Sequence, residues 1–341
     1  MVHIQNTQRD GFADFLKFFL IWSVILGHFI SPWQTTPGPV GALYSIIYAF
    51  HVPLFVFISG YFSSISPKYR KKNIDTLLYP FIVFQLLNLL YFAITKQKPS
   101  ENNIFYPYHQ NWYLIALFWW RTFTPYGQFF SKRVVLIISF LISLGVGFAP
   151  EWNGFLGLYK TAYFFPFFVL GLYCDDLKSI IKKMLPYKIA WCCVLAIIVA
   201  GLVGLSFNEK AISGINYAFK AGTGYGPQNP ILFGVRTGAM ITSLIMMCCV
   251  LALLNIFYNK VRVNWFHVYG GGTMLAYVGH WFLMEPIQQL LVKTNTVIAF
   301  PLCVLSSIVL TWVLTRVCVV NFFRPLLDLS ALKERLLKKV N

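Results

Sequence analysis

Charge is scarce in this chain, and acid is scarcest. In 341 residues, 11 Asp and Glu stand against 28 Lys and Arg, and charged residues make up only 11%. A soluble domain carries about 25% charge, so an ordinary soluble fold is excluded. Metal-binding or disulfide spacing is also missing. Cys174, Cys192, Cys193, Cys248, Cys249, Cys303 and Cys318 all fall in or beside apolar segments, with no extramembrane framework. They read as small buried hydrophobes. No internal repeat or low-complexity tract is visible, which argues against a transporter built from repeated halves. No small-residue cleavage site follows the first apolar stretch, which carries Asp14 and Lys17 and runs into Pro32-Trp33. That stretch is therefore expected to remain as a span.

What is abundant is apolar and aromatic: 57% hydrophobic residues, with 33 Phe and 19 Tyr. Since a span needs roughly 20 mostly apolar residues, the chain reads as an all-α, polytopic membrane protein of about ten transmembrane helices. The expected spans are 12–30, 41–63, 76–95, 111–126, 133–149, 160–174, 188–206, 231–257, 270–291 and 297–320. They form a single domain over 1–341, with a helical core at about 12–320 and a basic tail at about 321–341.

The net charge of +17 is a topology signal rather than a nucleic-acid footprint, because the basic residues sit in short loops between spans. With the N-terminus inside, one side collects Arg9, the cluster Lys68 to Lys72, Lys132, Arg133, Lys178, Lys182, Lys183, Lys188, Lys260, Arg262 and the basic tail. The other side has only Lys96, Lys98, Lys160, Lys210, Lys220 and Lys293. This asymmetry supports both termini in the cytoplasm, and the protein is expected in the inner, cytoplasmic membrane as a multi-pass protein. Trp33, Trp112, Trp152 and Trp265 are expected as interfacial anchors.

Polar residues inside spans are expensive and mark candidate sites. Lys17 and His28 differ by only about 20° around the first helix and lie roughly 16 Å apart along it. One stripe thus carries a cation near one face and a titratable base much deeper. The alternative is that Lys17 snorkels as a topology signal and His28 satisfies a neighbouring helix. Asp14 is placed to pair with Lys17 one turn away. His51 falls at middle depth in the second span and faces the same region if the two helices pair. In the ninth span, His280 and Glu285 lie about 140° apart, so they form no dyad on one helix. Arg236 or Arg316 is the expected partner of Glu285. His3, His109 and His267 fall outside the spans and are assigned no chemistry. The outer loop 207–230 either covers an acceptor or merely connects.

Several motifs in order resemble the acyltransferase-3 family of integral membrane acyltransferases. They are Asp14-x-x-Lys17 with His28; His51-Val-Pro-Leu-Phe-Val-Phe-Ile-Ser59-Gly60-Tyr61; the basic run Lys68 to Lys72 ahead of Leu77-Leu-Tyr-Pro80; Asn111-Trp112-Tyr-Leu; Phe165-Pro166-Phe-Phe-Val-Leu-Gly171; and Ala276-Tyr277-Val-Gly-His280. Lys17 stands where many members carry Arg, which is similar to the fucose O-acetylase-like branch. Lys is a point charge and Arg a bidentate fork, so the contact at this position differs.

The resemblance implies an O-acyltransferase that moves an acyl group, acetyl in first place, from acyl-CoA to a hydroxyl of a surface-glycan or lipid-linked sugar. It implies no permanently bound cofactor, acetyl-CoA being a co-substrate, and no metal. His28 is the leading catalytic residue, as base or acyl carrier, because imidazole suits neutral pH. His51 either shares the proton work or makes a structural hydrogen bond beside Pro53. Lys17, Ser59, Lys68, Arg70, Lys71 and Lys72 are the candidates for holding coenzyme A, the cations as phosphate partners and Ser59-Gly60 as a close-approach point for the pantetheine arm or a neighbouring helix. Asp14, His280 and Glu285 are expected as supporting residues. Membrane lipids and a second copy of the chain are further expected partners. A transporter or flippase of lipid-linked sugars is the competing reading.

Overall fold

A computed structural model describes residues 11–63, 70–97, 104–149, 154–220, 230–261 and 272–340. Among them every regular element is helical. In chain order these are α1 Gly11–Phe29, α2 Pro39–Tyr61, α3 Arg70–Asn73, α4 Tyr79–Thr95, α5 Trp112–Phe123, α6 Lys132–Gly145, α7 Leu158–Leu172, α8 Leu177–Met184, α9 Lys188–Ser206, α10 Glu209–Phe219, α11 Pro230–Val261, α12 Thr273–Leu291, α13 Thr296–Leu314, α14 Val317–Leu327 and α15 Leu329–Val340. A π-helical turn, Ile74–Leu78, joins α3 to α4.

The chain is an all-α, multi-pass membrane protein. Each of the ten expected apolar segments contains a helix. Seven segments among the described residues are long and apolar enough to cross a bilayer, by length and composition: Gly11–Phe29, Pro39–Tyr61, Ile74–Thr95, Phe155–Leu172, Leu177–Ser206, Ile231–Lys260 and Thr296–Leu314. The other three fall short for separate reasons. At 1.5 Å per residue, α5 and α6 are roughly 18 and 21 Å long, less than the hydrocarbon core of about 30 Å. α12 is long enough but carries His280, Glu285, Gln288 and Gln289. The expected tenth span, 297–320, ends early at Leu314, and the chain restarts as α14 after a break at Thr315 and Arg316.

α1 and α2 form the centre: 72% of each span is buried, against 11% for Leu177–Ser206 at the periphery. Close approach at the centre depends on glycine. A Cβ on Gly171 of α7 would collide with the carbonyl oxygen of Phe57 in α2, and one on Gly60 of α2 with that of Phe168. Small residues let two helix backbones meet in lipid, where apolar burial gives no net drive between helices. Gly60 thus serves helix packing, one of its two expected uses.

The cysteine expectation needs correction. Cys249 and Cys303 are buried, but Cys192, Cys193 and Cys318 are exposed on the bundle surface and Cys174 and Cys248 are half-buried. Hydropathy does not distinguish a lipid-facing position from a core position, so periodicity of the outer helices had to decide it and was too weak.

The segment 104–111 between α4 and α5 is irregular yet packed into the bundle. Its polar backbone must be satisfied there, since lipid offers nothing. Gln85 of α4 does most of this. Its amide donates to the carbonyls of Ile104 at 3.2 Å and Tyr106 at 2.6 Å, while its oxygen accepts from the Tyr108 backbone at 3.2 Å and the Asn111 side chain at 3.1 Å. Gln110 donates to the Val278 carbonyl of α12 at 2.9 Å, and Tyr277 donates back to the Gln110 carbonyl at 2.8 Å. These anchors hold Tyr108 to Asn111 inside the bundle, while Ile104 and Phe105 at the start of the segment stay exposed.

Candidate active site

One face of α2 builds a cavity wall. Tyr44, Tyr48, His51 and Phe55 recur at spacings of four, three and four, which keeps them on one helical stripe. The cavity they line has a volume of about 350 Å³. Val24, His28 and Ser31 come from α1 and its exit. His109, Gln110, Trp112 and Tyr113 come from the buried segment and the start of α5. Lys160 and Phe164 come from α7, Phe219 and Lys220 from the end of α10, and Tyr277 and Trp281 from α12.

His28 and His51, expected to converge, both line this cavity. The Nδ1 of His51 lies 2.7 Å from the Ile47 carbonyl oxygen. A carbonyl only accepts, so Nδ1 carries the proton, and in the neutral ring Nε2 keeps its lone pair. His280 is fixed in the same way, with Nδ1 2.9 Å from the Ala276 carbonyl and Nε2 buried without a hydrogen-bond partner among the described residues. Its ring lies 5.2 Å from that of His28, centroid to centroid. The His28 backbone is held as well, its carbonyl accepting from Gln288 of α12 at 2.6 Å.

A third imidazole enters from the segment 104–111. His109, assigned no chemistry from the sequence, stacks on Trp281 at 3.5 Å between centroids and lines the same cavity. Burial first, then His280 and Lys160, push its pKa down to about 3, so it is neutral at ordinary pH. The sequence signal that marks it is indirect: Gln85 and Asn111 are polar residues in or beside apolar helices, and the buried polar segment is what bonds them.

The deep end of the cavity is aromatic. Phe55, Tyr113 and Tyr277 pack ring against ring at 5.0 to 5.6 Å. From there the Tyr113 hydroxyl hydrogen-bonds to Ser59. Ser59 is thus placed directly beyond the aromatic cluster. Lys17 lies at the same end of α2: its Nζ sits 4.2 Å from the Phe62 ring centroid and 3.7 Å from Asp14. Asp14 therefore pairs with Lys17, as its spacing implies. A further cation, Arg121 of α5, donates from Nε to Ser63 at 3.0 Å in this region.

Other candidates are placed differently. Lys72 is exposed beside the π turn, while Lys68 and the side chains of Arg70 and Lys71 lie outside the described residues. Trp152 and Trp265 also lie outside them. Trp112 is a cavity wall stacked at 5.5 Å on Phe164, a role beyond the interfacial anchor expected of it. Glu285 does not pair with Arg236. It accepts from Tyr91, from Gln97 at 2.9 Å and from Gln289. Arg236 instead donates to the Tyr159 hydroxyl at 2.8 Å and the Ser143 carbonyl at 2.9 Å. Neutral donors hold the carboxylate, and the faces of Tyr159 and Tyr163 with a hydroxyl and a carbonyl hold the guanidinium, so the two are placed apart. The expected outer loop is partly helical, and α10 sets its last residues at the cavity; residues 221–229 lie outside the described ones.

A buried cavity that gathers imidazoles in a multi-pass bundle is suited to proton transfer at a hydroxyl or thiol held away from water. Comparison of the sequence with protein families agrees with that chemistry. The family model described as "Acyltransferase domain", that of the acyltransferase-3 family, matches residues 10–316. The chain belongs to this family and is a membrane acyltransferase. No curated protein and no solved structure matches it.

Proposed function

We propose that this acyltransferase moves an acetyl group from acetyl-CoA to a hydroxyl of a surface-glycan or lipid-linked sugar, working in the inner, cytoplasmic membrane. The observation that carries this reading is the cavity in which His28 and His51 meet beneath an aromatic wall. An aromatic surface of this kind suits the apolar face of a sugar ring, and imidazole suits removal of a hydroxyl proton at neutral pH.

In the proposed step a ring nitrogen of His28 takes the proton of the acceptor hydroxyl as its oxygen attacks the thioester carbonyl. The carbon–sulfur bond then breaks, and the proton passes from the imidazolium to the departing sulfur. The products are a sugar ester and the free thiol of coenzyme A. His51, with Nε2 as its available lone pair, orients the hydroxyl or shares its proton. The donor phosphates are held near Lys17, with Lys72 and the cluster Lys68, Arg70 and Lys71 contributing charge, and Ser59 borders the path of the pantetheine arm. The loop-charge asymmetry supports a cytosolic position for that end, where coenzyme A is found. The arm then has to cover roughly 16 Å along α1 to bring the thioester to His28.

The decisive experiment measures transfer of labelled acetyl from acetyl-CoA by purified protein, alongside mass spectrometry of envelope glycans with and without the protein. His28→Ala is expected to lower transfer by about 10²- to 10⁴-fold while membrane levels stay normal. Undiminished transfer removes His28 from the mechanism, and the absence of any acetyl-dependent mass change in the glycans removes the acceptor class.

A further inference from the structure

Two ammonium groups, Lys160 and Lys220, line the cavity, and no Asp or Glu among the described residues lines it with them. Glu285 accepts from three neutral donors, and Glu209 is exposed at the start of α10. Each lysine is held by neutral groups. Lys160 sits 5.3 Å from the Trp112 ring centroid; Lys220 sits 4.9 Å from that of Tyr44 and donates to Gln34. Gln34 in turn accepts at its backbone carbonyl from Asn216 at 2.7 Å, which fixes α10 over the entrance to α2.

Two like charges beside one partly buried space repel and are poorly hydrated, an arrangement that costs stability unless an anion arrives to neutralise it. Lys220 registers the strain. Burial, and then the charge of Lys160, lower its pKa to about 8, which still leaves it cationic at neutral pH. Aromatic faces and an amide oxygen steady the ammonium groups without cancelling their charge.

We propose that Lys160 and Lys220 form an anion-binding subsite at the mouth of the histidine cavity, which takes the phosphate or carboxylate of an acidic sugar acceptor. This rests on the reading of the cavity as the acceptor site. The anion belongs to the acceptor rather than to coenzyme A because the lysines stand at the opposite end of α2 from Ser59 and Lys17. Beside them, the stacked Trp112 and Phe164 offer a surface for the sugar ring.

The test is equilibrium binding to the purified full chain in a non-ionic detergent, with glucose 1-phosphate, glucuronic acid, methyl glucoside and coenzyme A as separate probes. The wild type is expected to bind the two anionic sugars about tenfold or more tighter than methyl glucoside, as charge-assisted hydrogen bonds require. The K160Q/K220Q variant is expected to lose that preference and keep its affinity for coenzyme A. The K160R/K220R variant, which keeps both charges, is expected to retain the preference. Equal binding of the three sugars by the wild type overturns the proposal, as does a preference that survives in K160Q/K220Q. A selective loss of coenzyme A affinity in K160Q/K220Q assigns the anion to the donor and also overturns it. An arginine pair that loses the preference with the glutamine pair assigns the effect to packing, with the same result. The preference needs no turnover, so His28→Ala is expected to keep it. Anionic preference without acetyl transfer therefore defeats the acetyl-transfer reading and spares the subsite, while transfer without preference does the reverse.

Discussion

The ring of His280 lies 5.2 Å from the ring of His28, and its own Nδ1 is tied to the Ala276 carbonyl at 2.9 Å. A ring fixed in this way limits the orientations its neighbour can adopt. In the proposed mechanism His280 therefore acts as a positioning residue for His28. His280→Ala is expected to lower kcat by about tenfold, with KM for acetyl-CoA little changed, since it removes neither the base nor the donor contacts. Steady-state kinetics in detergent checks this split. A rise in KM with kcat intact assigns His280 to binding instead.

Lys17 offers the complementary case. Lys17→Ala is expected to raise KM for acetyl-CoA by about tenfold with a smaller fall in kcat, because a lost charge-assisted phosphate contact is worth about 1.5–3 kcal/mol at most. Asp14→Asn frees Lys17 from its 3.7 Å partner and is expected to leave KM unchanged or lower. An unchanged KM in Lys17→Ala rules out the phosphate role.

The helix contact at Gly171 makes a prediction about stability. A Cβ there meets the backbone carbonyl of Phe57, which has no room to retreat. Gly171→Ala is expected to destabilise the detergent-solubilised protein by about 1–3 kcal/mol, read as a lower Tm. Gly27→Ala is the control. Its new Cβ meets the Tyr48 ring edge at 3.2 Å and an Ile47 methyl at 3.4 Å, side-chain atoms that can shift, so a smaller fall is expected.

Acid should weaken the fold partly through His109. Its folded pKa of about 3 lies below the ordinary value of 6.5, so between these values the unfolded chain binds more protons than the folded one. The stability contributed by the neutral ring is present above about pH 6.5 and is lost as pH falls toward 3. The Tm of wild type is expected to drop from pH 7 to pH 4.5 more steeply than that of His109→Gln, which has no such proton to take up. Parallel slopes would contradict this.

The α2 face of Tyr44, Tyr48, His51 and Phe55 emerged only from the cavity it lines, whereas membrane class and the helical segments were legible because hydropathy and span length report directly on them. The meeting of His28 and His51 was legible for the same reason: both lie on periodic helices whose pairing follows from a short connection. His109 was not, because a polar segment between two spans reads as a solvent loop, and only the Gln85, Gln110 and Tyr277 bonds draw it inward. Lys160 and Lys220 read only as outer-loop charge, since nothing in a linear pattern tells a lysine facing lipid headgroups from one facing a cavity. The pairing of Glu285 failed on a similar point. Sequence shows which charges are buried, but uncharged partners such as Tyr91, Gln97 and Gln289 compete for them on equal terms.

The Tyr113–Ser59 hydroxyl pair has a consequence for the membrane itself. If, on the proposed function, the thioester comes from one leaflet and the acceptor from the other, the two require a passage, and an open passage of that calibre would also conduct water, protons and small ions. With the aromatic cluster of Phe55, Tyr113 and Tyr277 behind it, the pair would close such a passage at this point. Weakening it would register first as leak, in proteoliposomes holding a pH gradient, before any change in product appeared.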